Sequence, residues 1–153
     1  MKGLSLFCSA GIAETYFKES GIDIVVANEL LPKRCELHSW LYPNCTTICG
    51  DITNNEIFNN IVEKTKEENC KFLLATPPCQ GMSSLGKKDY DNDKRNYLIF
   101  YVFDVMDQID FDYILIENVP KFLKMYFPYK DKLMSLVDII KDKYSDKFNI
   151  DSF

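Results

Sequence analysis

Leu4-Ser5-Leu6-Phe7-Cys8-Ser9-Ala10-Gly11 is a short apolar run that ends in a turn of small residues, and its pattern recurs along the chain. Residues 4–8 read as a buried strand, and Gly11 opens a turn into a helix over 13–19. A second strand at 22–27 leads to a helix near 32–40. Pro32 suits the first turn of that helix, where its missing N–H costs nothing. Thr46–Cys49 is a third strand, and Asn54 or Asn55 caps a helix carrying Ile57, Phe58, Ile61 and Val62. A fourth strand over 71–75 stops at Pro77-Pro78. Residues 77–95 are polar, hold Gly81 and Gly86, and form a loop longer than most connections, a length that often carries function. A helix over 96–109, a strand at Tyr113–Ile116, a helix over 133–143 and the start of a sixth strand at 147–150 complete the pattern. Strands alternating with amphipathic segments predict an α/β fold with a mainly parallel, doubly wound sheet.

Composition narrows the function classes. The 153 residues make one domain, and 46% hydrophobic with 27% charged residues excludes a largely disordered chain. No stretch nears the roughly 18 apolar residues of a membrane span, and the start of the chain is too short in apolar residues for a signal peptide. The sequence points to a cytoplasmic protein with no membrane partner. A net charge of −5 argues against a whole-surface grip on nucleic acid but allows a local basic patch. The six cysteines (Cys8, Cys35, Cys45, Cys49, Cys70 and Cys79) fit free thiols. With His38 as the sole histidine and no paired C-x-x-C clusters, no metal site is expected.

In a doubly wound sheet, ligands bind beyond the carboxyl ends of the strands. Every odd polar cluster falls at such an end: 8–14, Asn28-Glu29, Gly50-Asp51-Ile52, 77–83 and Glu117-Asn118. Phe7-Cys8-Ser9-Ala10-Gly11 lacks the full G-x-G-x-x-G pattern, so a plain tight turn and a nucleotide site both remain open. Glu29, about 20 positions beyond the turn, is placed to bond ribose hydroxyls. Asp51 can accept from an adenine amine, with Phe7 or Ile52 against the ring. Two prolines stiffen the chain just before Cys79, holding a free thiol at the loop's entrance, where it is a strong nucleophile. Glu117 follows a buried strand, where partial desolvation would let it donate a proton near neutrality.

The order of these motifs resembles the N-terminal, cofactor-binding part of a DNA cytosine C5-methyltransferase. The resemblance rests on Leu6-Phe7-Cys8-Ser9-Ala10-Gly11, Asn28-Glu29, Gly50-Asp51-Ile52, Pro77-Pro78-Cys79-Gln80-Gly81-Met82-Ser83, Arg95-Asn96 and Glu117-Asn118-Val119. It implies a Rossmann-like methyltransferase fold that is incomplete at its C-terminal side, and S-adenosylmethionine as cofactor, leaving S-adenosylhomocysteine. By the resemblance, Phe7, Cys8, Ser9, Ala10, Gly11, Glu29, Leu30, Asp51, Ile52, Pro77 and Leu98 line the cofactor pocket. Cys79 would attack C6 of a cytosine flipped out of duplex DNA. Glu117 would hold N3 and the exocyclic amine, raising electron density at C5, which takes the methyl. Pro78, Gln80, Ser83 and Asn118 would shape the pocket around the base, and Lys87, Lys88, Lys94 and Arg95 would contact phosphates.

The chain departs from the family pattern in carrying Ser9 and Ile12 where the family places glycines, and Leu30 where it commonly places an aromatic residue. The family's target-recognition region and closing helix have no counterpart before Phe153. A second polypeptide carrying them is therefore expected, as in members split into two chains. Three readings follow: the catalytic subunit of a two-chain restriction-modification DNA methyltransferase, part of an RNA (tRNA) cytosine methyltransferase, or a non-catalytic cofactor- or protein-binding module. Retention of both Cys79 and Glu117 argues against the third, because a mere binder needs neither.

Overall fold

The computed structural model describes residues 1–78 and 94–152. Five strands, β1 (Lys2–Leu6), β2 (Asp23–Glu29), β3 (Thr46–Cys49), β4 (Phe72–Ala75) and β5 (Tyr113–Ile116), form one sheet in the order β3-β2-β1-β4-β5. All four pairings are parallel. The chain winds outward from β1 to β3, then crosses back to add β4 and β5 on the other side. The point where strand order reverses therefore lies between β1 and β4, the place where such sheets bind ligands.

Central parallel strands are covered on both faces, so they read as unbroken apolar runs rather than alternating ones. β4, Phe72-Leu73-Leu74-Ala75, is buried at every residue. Leu4, Leu6, Val26, Ile48, Leu73 and Ala75 pack one face against Ile61 and Val62 of α2 (Asn55–Glu67), Ile99 and Phe103 of α3 (Leu98–Gln108) and Ile139 of α4 (Leu136–Tyr144). The opposite face is thinner: Ile24, Ala27, Phe72 and Leu74 meet Cys8, Cys45, Phe17 and Tyr42. There α1 (Pro32–Leu41) contributes only Cys35 and His38 to the interior. Asn54, not Asn55, caps α2, accepting from the Glu56 N–H at 2.8 Å, and Glu56 in the first turn and Lys64 and Lys66 in the last complement the helix dipole.

Four expectations change. The segment after Gly11 is not a helix over 13–19 but a single 3-10 turn, Ile12–Glu14, followed by successive tight turns. Its inward positions are occupied by Glu14 and Phe17 while Ile12 and Tyr16 face solvent, so no apolar stripe holds a helix against the sheet. Residues 96–109 divide into a 3-10 turn, Lys94–Tyr97, and α3. Residues 133–143 divide too: Lys132–Ser135 is a strand, β7, antiparallel to β6 (Tyr126–Tyr129), and α4 begins only at Leu136. The hairpin turns on Lys130 and Asp131, both left-handed at φ 47° and 61°, and its Phe127 packs edge-on against the stacked Tyr97 and Phe100 rings. Finally, 147–150 is not a strand. β5 is an edge of the described sheet, with Tyr113 exposed and Ile114, Leu115 and Ile116 half-buried. Among the described residues, no helix is long and apolar enough to cross a membrane.

Candidate active site

The carboxyl ends of the strands converge on the reversal point. The turn after β1 is tightly wound: Phe7, Ser9 and Gly11 all have positive φ, at 62°, 54° and 79°. Its backbone is tied down on both sides of β1. The Cys8 N–H donates to Asn28 O on β2 at 3.0 Å, and the Thr76 hydroxyl, just past β4, donates to Phe7 O at 3.1 Å.

Glu29, the last residue of β2, is buried beneath this turn. One carboxylate oxygen accepts from the Ser9 N–H at 3.0 Å and the other from the Leu31 N–H at 2.9 Å. The Arg34 guanidinium stands 3.8 Å away. Each carboxylate oxygen has two lone pairs, so an acceptor position remains on each for a hydroxyl. Asn28 braces the neighbouring strand end, donating to Ile48 O at 2.9 Å and Gly50 O at 3.1 Å. Beyond it Asp51 is exposed, with one oxygen accepting from the Thr53 N–H at 2.9 Å. Ile52 points into the core and is only 3% exposed, whereas Leu30 is 55% exposed, so Leu30 offers a ring far more apolar surface than Ile52 does.

On the other side of the reversal point, Pro77 is buried and Pro78 half-buried at the exit of β4. The Asn118 amide, after β5, donates to Pro77 O at 2.8 Å, while its oxygen accepts from the Val119 N–H at 2.9 Å. This one side chain fastens the Pro-Pro exit of β4 to the Glu117-Asn118 exit of β5. Glu117 is exposed, not desolvated as its position after an apolar strand had implied, because β5 is an edge strand. Cys79, Gln80, Ser83, Lys87 and Lys88 lie outside the described residues. Lys94 and Arg95 are exposed on the 3-10 turn, and Leu98 opens α3 half-buried against the core.

The four buried thiols among the described residues are poor nucleophiles. Burial, reinforced by the Glu14 and Glu29 charges, pushes the Cys8 thiol far up, and burial is likewise the main cause that takes Cys35, Cys45 and Cys70 to about 12. These four stay protonated near neutral pH.

One cluster escaped the sequence reading. His38 Nε2 lies 3.1 Å from Glu14 Oε2, and its Nδ1 lies 2.7 Å from Thr47 Oγ1, with both Glu14 and His38 buried. Cys8 adds a sulfur, so three possible metal donors come within 4.8 Å of one another. Carboxylate and imidazole already bond each other, however, and no fourth donor joins them among the described residues. Positions 8, 14 and 38 share no spacing that a metal motif would reveal. They meet only because α1 crosses the turn after β1.

The model of the C-5 cytosine-specific DNA methylase family matches residues 1–143, nearly the whole chain. The chain belongs to that family. The Type II methyltransferase M1.HgaI of Avibacterium volantium is 44% identical over 152 residues, covering 97% of this chain and 43% of its own. A tRNA (cytosine(38)-C(5))-methyltransferase of Spodoptera frugiperda is 32% identical over 124 residues, covering 79% of this chain and 36% of its own. This methylase chain thus spans less than half the length of either relative. Among solved structures, a Spodoptera frugiperda DNMT2 mutant superposes with a TM-score of 0.58 at 30% identity, over 79% of this chain and 36% of that one. A prophage-encoded DNA modification methyltransferase from E. coli gives 0.63 at 23% identity, over 78% of this chain and 32% of that one, a likeness of fold.

S-adenosylmethionine is the cofactor of C-5 cytosine methylases, and the described residues fit it. A buried carboxylate with spare acceptor positions ends β2, an exposed carboxylate follows β3, and the half-buried Phe7 stands beside the reversal point.

Proposed function

We propose that this chain is the cofactor-binding and nucleophile-bearing part of a DNA cytosine C5-methyltransferase, working with a second polypeptide that reads the target sequence. The observation that carries the reading is the 2.8 Å bond from Asn118 to Pro77 O. It brings the chain immediately before Cys79 beside Glu117, so one pocket can offer a thiol and a carboxyl to the same base. S-adenosylmethionine, when bound, supplies an electrophilic methyl group. Glu29 holds the ribose diol, Asp51 the adenine amine, and Phe7 with Leu30 flanks the ring.

Cys79 adds to C6 of a cytosine turned out of the duplex, while Glu117 donates to N3. These two acts together raise electron density at C5, the atom to be methylated. Loss of the C5 proton to a base then expels the thiolate and restores the aromatic ring. The exposure of Glu117 and the half-buried apolar edge at β5 support a partner surface closing over this side before reaction. Lys94 and Arg95, with Lys87 and Lys88 earlier in the sequence, supply positive charge for phosphates.

The second reading, tRNA cytosine methylation, is favoured by the 32% identity to the tRNA methyltransferase. The test measures labelled methyl incorporation into varied duplex DNA and into tRNA, by the chain alone and mixed with the polypeptide encoded beside it. Incorporation into DNA only from the mixture is the expected result. Robust turnover of DNA by the chain alone removes the partner requirement, and turnover confined to tRNA replaces the substrate.

A further inference from the structure

The turn after β1 is tied to β2 and to the exit of β4 at Phe7, Cys8 and Ser9, but its far end, from Gly11 on, has little of its own to hold its shape. Phe7 and Ser9 adopt the left-handed backbone that residues other than glycine seldom take, and no α-helix follows to anchor the segment. From Gly11 to Gly21 the backbone bonds almost entirely in three-residue steps, such as Glu14 N–H to Gly11 O at 3.2 Å and Phe17 N–H to Glu14 O at 3.0 Å. Runs of this tighter geometry are weaker than a helix. Ile12 and Tyr16 face solvent rather than pinning the segment from within.

Phe17 meets Phe72 of β4 edge-on further along, and the grip on Gly11 and Glu14 comes from the end of α1. The Tyr42 hydroxyl donates to Gly11 O at 2.7 Å. The Tyr42 ring fills the space beside Gly11 so closely that a Cβ there would overlap it, which, with the positive φ, explains the glycine. The His38 ring lies against Tyr42 with centroids 4.9 Å apart, and reaches back through Nε2 to Glu14. Its other nitrogen meets Thr47 on β3. Gly11 and Glu14, the two ends of the 3-10 turn, are therefore both held by one turn of α1, and that grip is anchored to the sheet. The same turn presents the Ser9 N–H to Glu29 on its other side.

We infer that Tyr42, backed by the Glu14–His38 pair, is a positioning residue that fixes the turn after β1 in the shape that receives the cofactor. The inference rests on the proposed reading of that turn as the cofactor site. It assigns Tyr42, His38 and Glu14 a role in cofactor affinity, although Tyr42 and His38 sit at the end of α1 rather than at a strand end.

The test is calorimetric titration of the full chain with S-adenosylmethionine and S-adenosylhomocysteine, alongside thermal unfolding. Tyr42→Phe removes the hydroxyl and keeps the ring. Loss of one neutral hydrogen bond at the turn is expected to weaken both ligands roughly threefold to tenfold. Tyr144→Phe is the control, because the Tyr144 hydroxyl is also a long-range donor, with Asp107 Oδ1 at 2.9 Å and Phe103 O at 3.2 Å, but on the α3–α4 side of the molecule. It is expected to lower the unfolding temperature and leave both affinities alone. Glu14→Gln, which keeps the side chain's shape but not its charge, is expected to weaken both ligands as well. Unchanged affinity in Tyr42→Phe, or an equal loss in Tyr144→Phe, overturns the inference, since either makes Tyr42 a matter of general stability. A wild-type chain that binds neither ligand, alone or with its partner, overturns the cofactor reading itself and this inference with it.

Discussion

The two sides of the reversal point are built differently. On the β1–β2–β3 side, the crevice is tied together by hydrogen bonds from every neighbouring element: Ser9 and Leu31 to Glu29, Asn28 to Ile48 and Gly50, and Tyr42 to Gly11. On the β4–β5 side, Asn118 makes the cross-tie to Pro77, Glu117 stands exposed, and β5 shows a half-buried edge. The contrast matches what the proposed function asks of each side. A small cofactor is held best by a preorganised, buried set of donors and acceptors, because ordering them in advance lowers the cost of binding. A base swung out of a duplex needs an opening wide enough to enter, which a second surface then closes.

The largest effect that would separate the two sides is chemical. Cys79→Ser exchanges a thiol for a far weaker nucleophile with little change in volume, so methyl transfer by the chain with its partner should vanish. Cofactor affinity measured by calorimetry should remain at the wild-type value. A variant that loses both shows that the sides are one mechanical unit, and appreciable methylation by it removes Cys79 from the chemistry.

Packing supplies the next contrast. Leu6 in β1 is fully buried, whereas Leu115 in β5 is half-exposed on an edge strand. Leu6→Ala should cost about 2–5 kcal/mol of stability, as large-to-small changes in a closed core do. Leu115→Ala should cost less than about 1 kcal/mol, because much of the surface it removes already meets water. Equal losses in denaturant titrations would mean that the β5 side is as closed in solution as the β1 side.

Glu29→Gln follows. It removes the charge from a carboxylate that also meets two backbone amides, and so would weaken the bonds that the proposed function gives Glu29 to the ribose. The expected loss is about 1.5–3 kcal/mol in cofactor binding, roughly tenfold or more. Unchanged affinity by calorimetry would take Glu29 out of the pocket and leave it a buried brace.

The sheet was legible in the sequence because buried parallel strands leave short, unbroken apolar runs, as in Phe72-Leu73-Leu74-Ala75. The polar clusters at strand ends were legible for the same reason, since each breaks such a run abruptly. The segment after Gly11 was misread because Ile12, Phe17 and the aromatic Tyr16 resemble a helical stripe. Only the structure shows that Glu14 faces inward beside Phe17 and needs His38 to be buried at all. The hairpin was hidden by its turn: Lys130-Asp131 adopts a conformation usually signalled by Asn-Gly, and Pro128 masks the first strand. Tyr42 and Asn118 act over separations of 31 and 41 residues, and no local pattern marks contacts of that range.

The smallest effect concerns Arg34, and it decides what holds the closed side together. Its guanidinium is the cation paired with Glu29, yet it lies 3.8 Å away and its side chain is 51% exposed. An ion pair at that distance with one partner in water is screened and contributes between nothing and about 1 kcal/mol. The two backbone amides on Glu29 are shorter, at 3.0 and 2.9 Å, and come from segments whose positions the sheet and α1 already fix. If those amides set the carboxylate, Arg34→Gln should change cofactor affinity less than about threefold, and the difference should shrink further as salt is raised. The measurement is calorimetry of wild type and variant at low and high ionic strength. An Arg34→Gln loss as large as that of Glu29→Gln, collapsing in salt, would mean that charge rather than backbone geometry preorganises the crevice, and the division between a closed and an open side would have to be redrawn around that one exposed arginine.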